Sequence, residues 1–154
     1  DRTLDASSAY GIYAFGVLPA TDPRVVSTIS AIRTSLVPHT QIGGIARYAG
    51  DRYYRVAFEV PGNSWFITTL WLAQYYISSA KGEKDLAPAK EILEWTVRYA
   101  LPSGVLSEQI NPYTGESISA SPLTWSHAEF VLTVVAYLDK MQELGLCKGC
   151  NPVQ

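Results

Sequence analysis

Apolar residues recur at helical spacing through most of the chain, and this periodicity predicts five helices. The predicted helices span Leu4–Phe15, Pro23–Leu36, Trp65–Ala80, Leu86–Ala100 and Leu123–Leu144. The first, third and fifth are apolar on nearly all sides, whereas the second and fourth have a single apolar face. We therefore expect an all-α fold in which buried inner helices alternate with half-buried outer helices, as a double-layered helical toroid requires.

Two helix starts carry capping signals. Asp22 directly precedes Pro23, and this pair places a good N-cap residue before a proline at the first helical position. Asn63 or Ser64 is expected to cap the third helix.

Two long stretches break the helical pattern. Residues 38–63 are rich in arginine and aromatic residues, and loops of that length are usually functional or disordered. The alternation over Tyr53–Val60 predicts a short hairpin within it. The second stretch covers Val105–Glu116. Because both stretches follow outer helices and precede inner ones, we expect them to meet at one end of the toroid.

Composition narrows the classes of function. The 154 residues suffice for one domain, and the net charge of -2 without a basic stripe argues against nucleic-acid binding. The chain lacks the roughly 18 uninterrupted apolar residues of a membrane span. Cys147 and Cys150 form a C-x-x-C pair without the second ligand pair that zinc needs, which suggests a local disulfide. We expect no metal and no cofactor.

Glu108 is the candidate for catalysis. An inverting glycoside hydrolase needs a carboxylic acid and a carboxylate base roughly 6.5–9.5 Å apart. Glu108 lies in a loop between Ser107 and Gln109, where hydrogen-bond donors favour an ionised carboxylate. The four Trp and ten Tyr residues suit a sugar site, because their ring faces pack on pyranose rings. The pattern alone, however, favours an ordinary solvated loop glutamate.

Four segments, in this order, resemble motifs of glycoside hydrolase family fifteen. They are Ala46–Tyr48 followed by Asp51 and Tyr53–Tyr54, Gly62–Leu72, Leu106–Gln109, and Leu123–Ala128. These are similar to the family's GRY…D…YY, GNPWF, base and LTWS-x-A motifs, with Ser64 in place of the usual proline. The chain most resembles the prokaryotic glucoamylase and glucodextranase branch.

The resemblance implies part of an (α/α)6 toroid and an inverting attack on the non-reducing ends of α-glucans that releases β-glucose. A trehalase or glucodextranase of the same family, and a non-catalytic regulatory or structural toroid, remain alternatives.

The resemblance also assigns roles to individual residues. It implies Glu108 as the general base, Arg47 as a ligand of sugar hydroxyls, and Trp65 and Trp125 as walls of the glucose pocket. Asp51 and Tyr53 fall in the same substrate-facing loop, and Gln109 lies beside the base. Each has a structural alternative, such as a core tryptophan or an exposed loop arginine. Glu116, Glu129 and His127 are interpreted as structural.

The family's general acid lies in an upstream motif of the W-E-E type, and no such motif occurs in this chain. Five helices also do not close a twelve-helix ring. We therefore expect residues 1–154 to be a carboxyl-terminal fragment of the catalytic domain that is inactive alone. Its expected partners are an α-glucan or oligosaccharide, the missing amino-terminal half and, through an exposed apolar face, a second copy of itself.

Overall fold

The computed structural model describes residues 2–150, which form five helices and a small three-stranded sheet. In chain order the elements are α1 (Ser7–Ala14), α2 (Pro23–Ser35), β1 (Ser64–Trp65), α3 (Phe66–Ser79), α4 (Glu83–Arg98), β2 (Gln109–Ile110), β3 (Ser117–Ile118) and α5 (Thr124–Glu143). The five predicted helices are confirmed. The main differences lie at the starts: α1 begins three residues late and α4 three residues early.

The predicted cap of α2 is confirmed, but that of α3 is wrong. Asp22 accepts a hydrogen bond from the backbone N–H of Arg24 at 2.9 Å. At α3 the N-cap position is Trp65, which makes no side-chain cap hydrogen bond. The side chains of Asn63 and Ser64 bind instead to the carbonyl oxygens of Tyr54 and Gly43. They therefore attach distant loop backbone to the start of α3 rather than capping the helix.

Helix α3 is the centre of the fold. Ten of its fourteen residues are buried, and it packs against α1, α4 and α5. Helix α1 buries only Ala9, and α5 buries Ser126, Glu129 and Thr133. Both therefore expose more apolar surface than α3 does, although their sequences are also largely apolar.

The small sheet joins the second irregular stretch to the start of α3. Its order is β1-β2-β3 with antiparallel pairs, so that Trp65 lies opposite Gln109 and Gln109 lies opposite Ile118. Helix periodicity gave no sign of these two-residue strands. The sheet places the loop that carries Glu108 directly beside the amino-terminal end of α3.

The predicted hairpin over Tyr53–Val60 is wrong, because none of these residues is in a strand. Side chains bond the backbone of this segment in place of a second strand. Arg55 donates to the carbonyl oxygens of Ala57 and Phe58 at 2.7 and 3.0 Å. Asn63 accepts from the N–H of Val56 at 3.2 Å. The loop is therefore ordered, but by polar side chains rather than by sheet pairing.

The preceding part of the long loop is anchored to α3 by two buried threonines. Thr68 donates its hydroxyl to the carbonyl oxygen of Ile45 at 2.7 Å, and the Ile45 N–H donates to Thr69 at 2.9 Å. Because these bonds fix the backbone next to Arg47, they also fix where that side chain begins.

Near the end of the described chain, Cys147 and Cys150 are paired as a disulfide. Within residues 2–150, no group of three or more His, Cys, Asp or Glu side chains is arranged to hold a metal ion. No helix in that range is long and apolar enough to cross a membrane.

An exposed apolar stripe on α5 predicts self-association. Trp125 and Leu132, at helical spacing, are 52% and 51% exposed, and Val131 beside them is also exposed. We expect Leu132→Lys to lower the apparent mass of the chain in light scattering, because a charge in a buried contact is costly. Val97→Lys on α4, at a position 63% exposed, is the matched control and should change the mass little. A monomeric parent chain would contradict the prediction.

Candidate functional site

A cavity of about 470 Å³ opens beside the start of α3. Four of the seven candidate residues line it: Glu108, Arg47, Trp65 and Trp125. The remaining lining residues are Asp5, Ser7, Tyr48, Ile67, Thr68 and Trp71. Residues far apart in the sequence thus meet around a single cavity that combines a carboxylate, a guanidinium and several aromatic rings.

The loop that carries Glu108 is fixed between α3 and α5. The carbonyl oxygen of Ser107 accepts the Ser126 hydroxyl at 2.7 Å, and the N–H of Leu106 donates to Nε2 of His127 at 3.0 Å. On the other side, the carbonyl oxygen of Glu108 accepts the N–H of Phe66 at 3.4 Å. His127 is therefore structural, as the sequence indicated, and it supports the backbone beside the candidate base.

The Glu108 carboxylate is half-buried and held by neutral donors. Its Oε2 accepts the hydroxyl of Ser119 and, at 3.4 Å, the side-chain amide of Gln109. Oε1 has no hydrogen-bond partner within residues 2–150, so it is available to a ligand. The two donors therefore hold one oxygen of the carboxylate and leave the other for a ligand.

Ser119 is a site residue that the sequence reasoning missed. It follows β3 directly and has a φ of 67°, a left-handed conformation uncommon for residues other than glycine. Its hydroxyl oxygen also lies 3.3 Å from the Tyr53 hydroxyl, so it connects Tyr53 to Glu108. Tyr53 itself is exposed and does not line the cavity.

Arg47 and Asp51 form a two-pronged ion pair. Nε and Nη2 of Arg47 lie 3.0 and 3.1 Å from the two carboxylate oxygens of Asp51. Asp51 is only 1% exposed and does not line the cavity, and it also accepts the N–H of Tyr53 at 3.0 Å. The family resemblance implied a substrate-binding role for Asp51, which stays a prediction; in the structure its carboxylate binds and orients the Arg47 guanidinium.

The environment keeps Arg47 charged. Burial acts to lower its pKa, but the hydrogen bonds and negative charge of Asp51 outweigh burial and raise the pKa above its ordinary value. The guanidinium carbon lies 4.5 Å from the Trp65 ring and 4.9 Å from the Tyr48 ring, within cation–π range. Arg47 is thus a fixed cation at the edge of the cavity.

Gln109 is fully buried and does not line the cavity. Its Oε1 accepts the side-chain amide of Asn63 at 2.9 Å, while its Nε2 donates to Glu108. Asn63, which sequence reasoning treated as a helix cap, therefore orients the residue that binds the Glu108 carboxylate.

Three tryptophans contribute to the cavity wall, and one of them was not predicted. Trp65 is the N-cap residue of α3, and Thr68 and Trp71 follow at steps of three within the helix; all three line the cavity. The Trp71 ring stacks on the ring of Tyr10 of α1 with 4.3 Å between the ring centroids, and its centroid lies 6.1 Å from that of Trp125. Its apolar sequence neighbours indicated a core position for Trp71. The six-residue spacing from Trp65 was the one sequence feature that could have indicated a place in the cavity wall.

Comparison with known proteins is consistent with this arrangement. Residues 78–135 match the model for glycosyl hydrolases family 15. An uncharacterized glycosyl hydrolase of Methanocaldococcus jannaschii is 35% identical over 143 residues, covering 87% of this chain and 22% of that protein. A glucoamylase of Clostridium sp. is 31% identical over 127 residues, or 76% and 17% of the two chains. A trehalase of Mycolicibacterium smegmatis is 28% identical over 144 residues, or 93% and 20%.

Solved structures of glycosidases are also similar to this chain. The structure of a bacterial glucoamylase complexed with acarbose superposes with a TM-score of 0.76 at 26% identity, covering 90% of this chain and 21% of that one. A glycosidase in complex with glucose gives a TM-score of 0.70 at 23% identity. The prediction that the helices form part of an (α/α)6 toroid is confirmed.

The chain spans about a fifth of the length of the curated relatives that it matches. Its sequence and its fold agree, and the chain matches a portion of the proteins of glycosyl hydrolases family 15.

Proposed function

We propose that this chain supplies the general base and part of the glucose pocket of an inverting, exo-acting α-glucosidase that releases β-glucose from α-glucans. The observation that carries the proposal is the cavity in which Glu108, Arg47, Trp65 and Trp125 meet. A carboxylate with one free oxygen, a fixed cation and aromatic walls is the chemistry that a sugar site needs. Similarity to a portion of glycosyl hydrolases family 15 supports the same reaction class.

In this mechanism Glu108 activates a water molecule. Ser119 and Gln109 bind Oε2 and thereby orient the carboxylate, while Oε1 takes the proton of the water. The water oxygen forms a bond to the anomeric carbon as the bond from that carbon to the leaving oxygen breaks. Attack from the face opposite the leaving group inverts the configuration, so an α-glucoside yields β-glucose.

The leaving oxygen needs a proton from a second carboxyl group. We propose that this acid lies outside residues 1–154, in the amino-terminal part of the same catalytic domain, and that the chain is the domain's carboxyl-terminal part. The W-E-E type of motif expected for the acid is absent from the sequence, and the relatives are about five times longer. The protein that contains this chain is therefore the proposed enzyme, whereas the chain alone is inactive.

Arg47 and the tryptophans are proposed to bind the sugar. A planar guanidinium donates several hydrogen bonds in a fixed geometry, which suits neighbouring hydroxyl groups on a pyranose. Trp125 is half-exposed and offers a ring face to the apolar C–H surface of the same sugar, whereas the nearly buried Trp65 contributes to the cavity lining and packs against the Arg47 guanidinium. Asp51 and Tyr53 act on the substrate only through Arg47 and Ser119 in this proposal.

A trehalase is a second candidate, because two mycobacterial trehalases match 93% of the chain at 28% identity. Both reactions use the same base, so the cavity walls decide between them. Maltose, isomaltose and trehalose offered to the protein that contains this chain separate the candidates, with the anomer of the released glucose followed by proton NMR. Initial release of α-glucose from maltose would contradict the inverting mechanism.

Glu108→Gln in the protein that contains this chain should lower kcat on its best substrate by about 10²–10⁴-fold, because general acid–base catalysis contributes about that much. The amide keeps the shape of the side chain but does not accept the proton. Glu116→Gln, at an exposed carboxylate in the next turn of the chain, is the matched control and should retain activity. The isolated chain should hydrolyse neither maltose nor starch; robust turnover by it would refute the proposed position of the acid.

Arg47→Lys should raise KM by about tenfold or more, because lysine keeps the charge but loses the fork that binds Asp51 and a sugar together. Steady-state kinetics on maltose measure the effect. Arg52→Lys changes an exposed arginine of the same loop and should leave KM unchanged. Equal effects of the two substitutions would argue against a sugar-binding role for Arg47.

A further inference from the structure

Glu129 is a buried carboxylate that the proposed mechanism does not use. It lies one helical turn after Trp125 on α5 and is only 7% exposed. Its Oε1 accepts the indole N–H of Trp125 at 3.0 Å, and its Oε2 accepts the side-chain amide of Gln74 on α3 at 2.8 Å. The carboxylate therefore links a wall of the cavity to the central helix.

The remaining bonds of this group fix the direction of each donor. Nε2 of Gln74 also donates to the Thr133 hydroxyl oxygen at 3.0 Å, and the Thr133 hydroxyl donates to the backbone oxygen of Glu129 at 2.6 Å. Both amide hydrogens of Gln74 are thus engaged, and its amide orientation is determined. Gln74 in turn holds Oε2, which leaves Oε1 directed to Trp125.

Stability alone does not explain a glutamate at this position. None of the ion pairs within residues 2–150 involves Glu129, so neutral donors alone compensate its burial. Removing a carboxylate from water is costly, and well-packed apolar residues at such positions are often equally or more stabilising. The electrostatic effect of Glu129 reaches Tyr10 of α1: burial first, and then the charge of Glu129, raise the pKa of Tyr10.

The indole, by contrast, needs an external constraint. Trp125 is 52% exposed, and its one ring contact among the described aromatic pairs is the tilted contact with Trp71 at 6.1 Å. A half-exposed ring with a single such contact has several accessible rotamers unless a hydrogen bond selects one. The bond to Oε1 of Glu129 makes that selection.

We propose that Glu129 is a positioning residue that holds the Trp125 indole in the orientation in which it forms a wall of the sugar cavity. The inference rests on the proposed function, because it assigns the consequence to substrate binding. Glu129 does not touch the substrate and takes no part in proton transfer; it acts through Trp125. Loss of the residue should therefore weaken substrate binding more than it slows the chemical step.

The test uses Glu129→Met in the protein that contains this chain, because methionine fills a similar volume but accepts no strong hydrogen bond. The KM for maltose, or for trehalose if that is the substrate, should rise about tenfold, the size expected for one lost hydrogen bond to a charged acceptor, while kcat stays within about threefold. Glu129→Gln keeps one acceptor oxygen, for which Trp125 and Gln74 compete, so its KM should lie between those of the parent and of Glu129→Met. Glu143→Ala, at an exposed carboxylate on the same helix, is the matched control and should leave both constants unchanged.

A double-mutant cycle separates positioning from general stability. Trp125→Phe keeps an aromatic wall but removes the indole N–H, so Glu129→Met should add less than a twofold change in KM in that background. An unchanged tenfold effect there, a KM within twofold of the parent for Glu129→Met alone, or failure of Glu129→Met to fold would overturn the inference.

A spectroscopic measurement distinguishes failure of this inference from failure of the proposed function. The indole N–H resonance of Trp125, assigned through Trp125→Phe, should shift and exchange faster with water in Glu129→Met but not in Glu143→Ala. No substrate is needed for this measurement. Inactivity of the parent protein on all three sugars would defeat the proposed function alone, whereas an unchanged indole resonance would defeat the positioning role.

Discussion

The pairing of β1 with β2 is the constraint on which the rest of the site depends. It sets Trp65 opposite Gln109, so the residue before Gln109, the candidate base, lies beside the first turn of α3. The backbone oxygen of Glu108 accepts the N–H of Phe66, one of the N–H groups that the start of a helix leaves without an intrahelical partner. The loop that carries Glu108 therefore performs part of the capping that neither Asn63 nor Ser64 performs. Displacing that loop would leave the central helix with an unpaired donor, which couples the position of Glu108 to the stability of the fold.

Hydrogen bonds from side chains also fix the other irregular segment. Residues 38–63 are held by side chains whose partners are backbone groups or each other: Thr68 and Thr69 bind Ile45, while Arg55 and Asn63 bind the turn before β1. A buried polar group costs free energy unless it is paired. Each of these groups therefore stabilises only the one loop conformation in which its partner is in reach. The Arg47–Asp51 ion pair is a further contact of this kind. Asp51 is buried and pairs with the Arg47 guanidinium, and Arg47 lines the cavity, where a ligand can contact it.

These contacts explain what the sequence was able to predict. The helices depend on local spacing and on nearby caps, such as Asp22 with the N–H of Arg24, so periodicity located them. Asn63 and Ser64 were misread as caps because their true partners, Gln109 and Gly43, are 46 and 21 residues away. Ser119 gave no local signal, since its role arises only when β3 carries it to Glu108. Glu108, Arg47, Trp65 and Trp125 were found together through motif resemblance, and no periodicity or spacing rule would have brought them into one cavity.

The two tryptophans from the motifs are held by different forces, and this difference bears on how the cavity would bind the proposed sugar substrate. Trp65 is 4% exposed and is fixed by packing and by the guanidinium of Arg47, so moving it would disturb the core. Trp125 is half-exposed and depends on one hydrogen bond to Glu129. The α3 side of the cavity is therefore the rigid side. The α5 side can change its shape by changing the partner of a single indole N–H. If glucan and trehalose specificity diverge within one fold and one base, residues around Trp125 are the ones whose variation costs the core least.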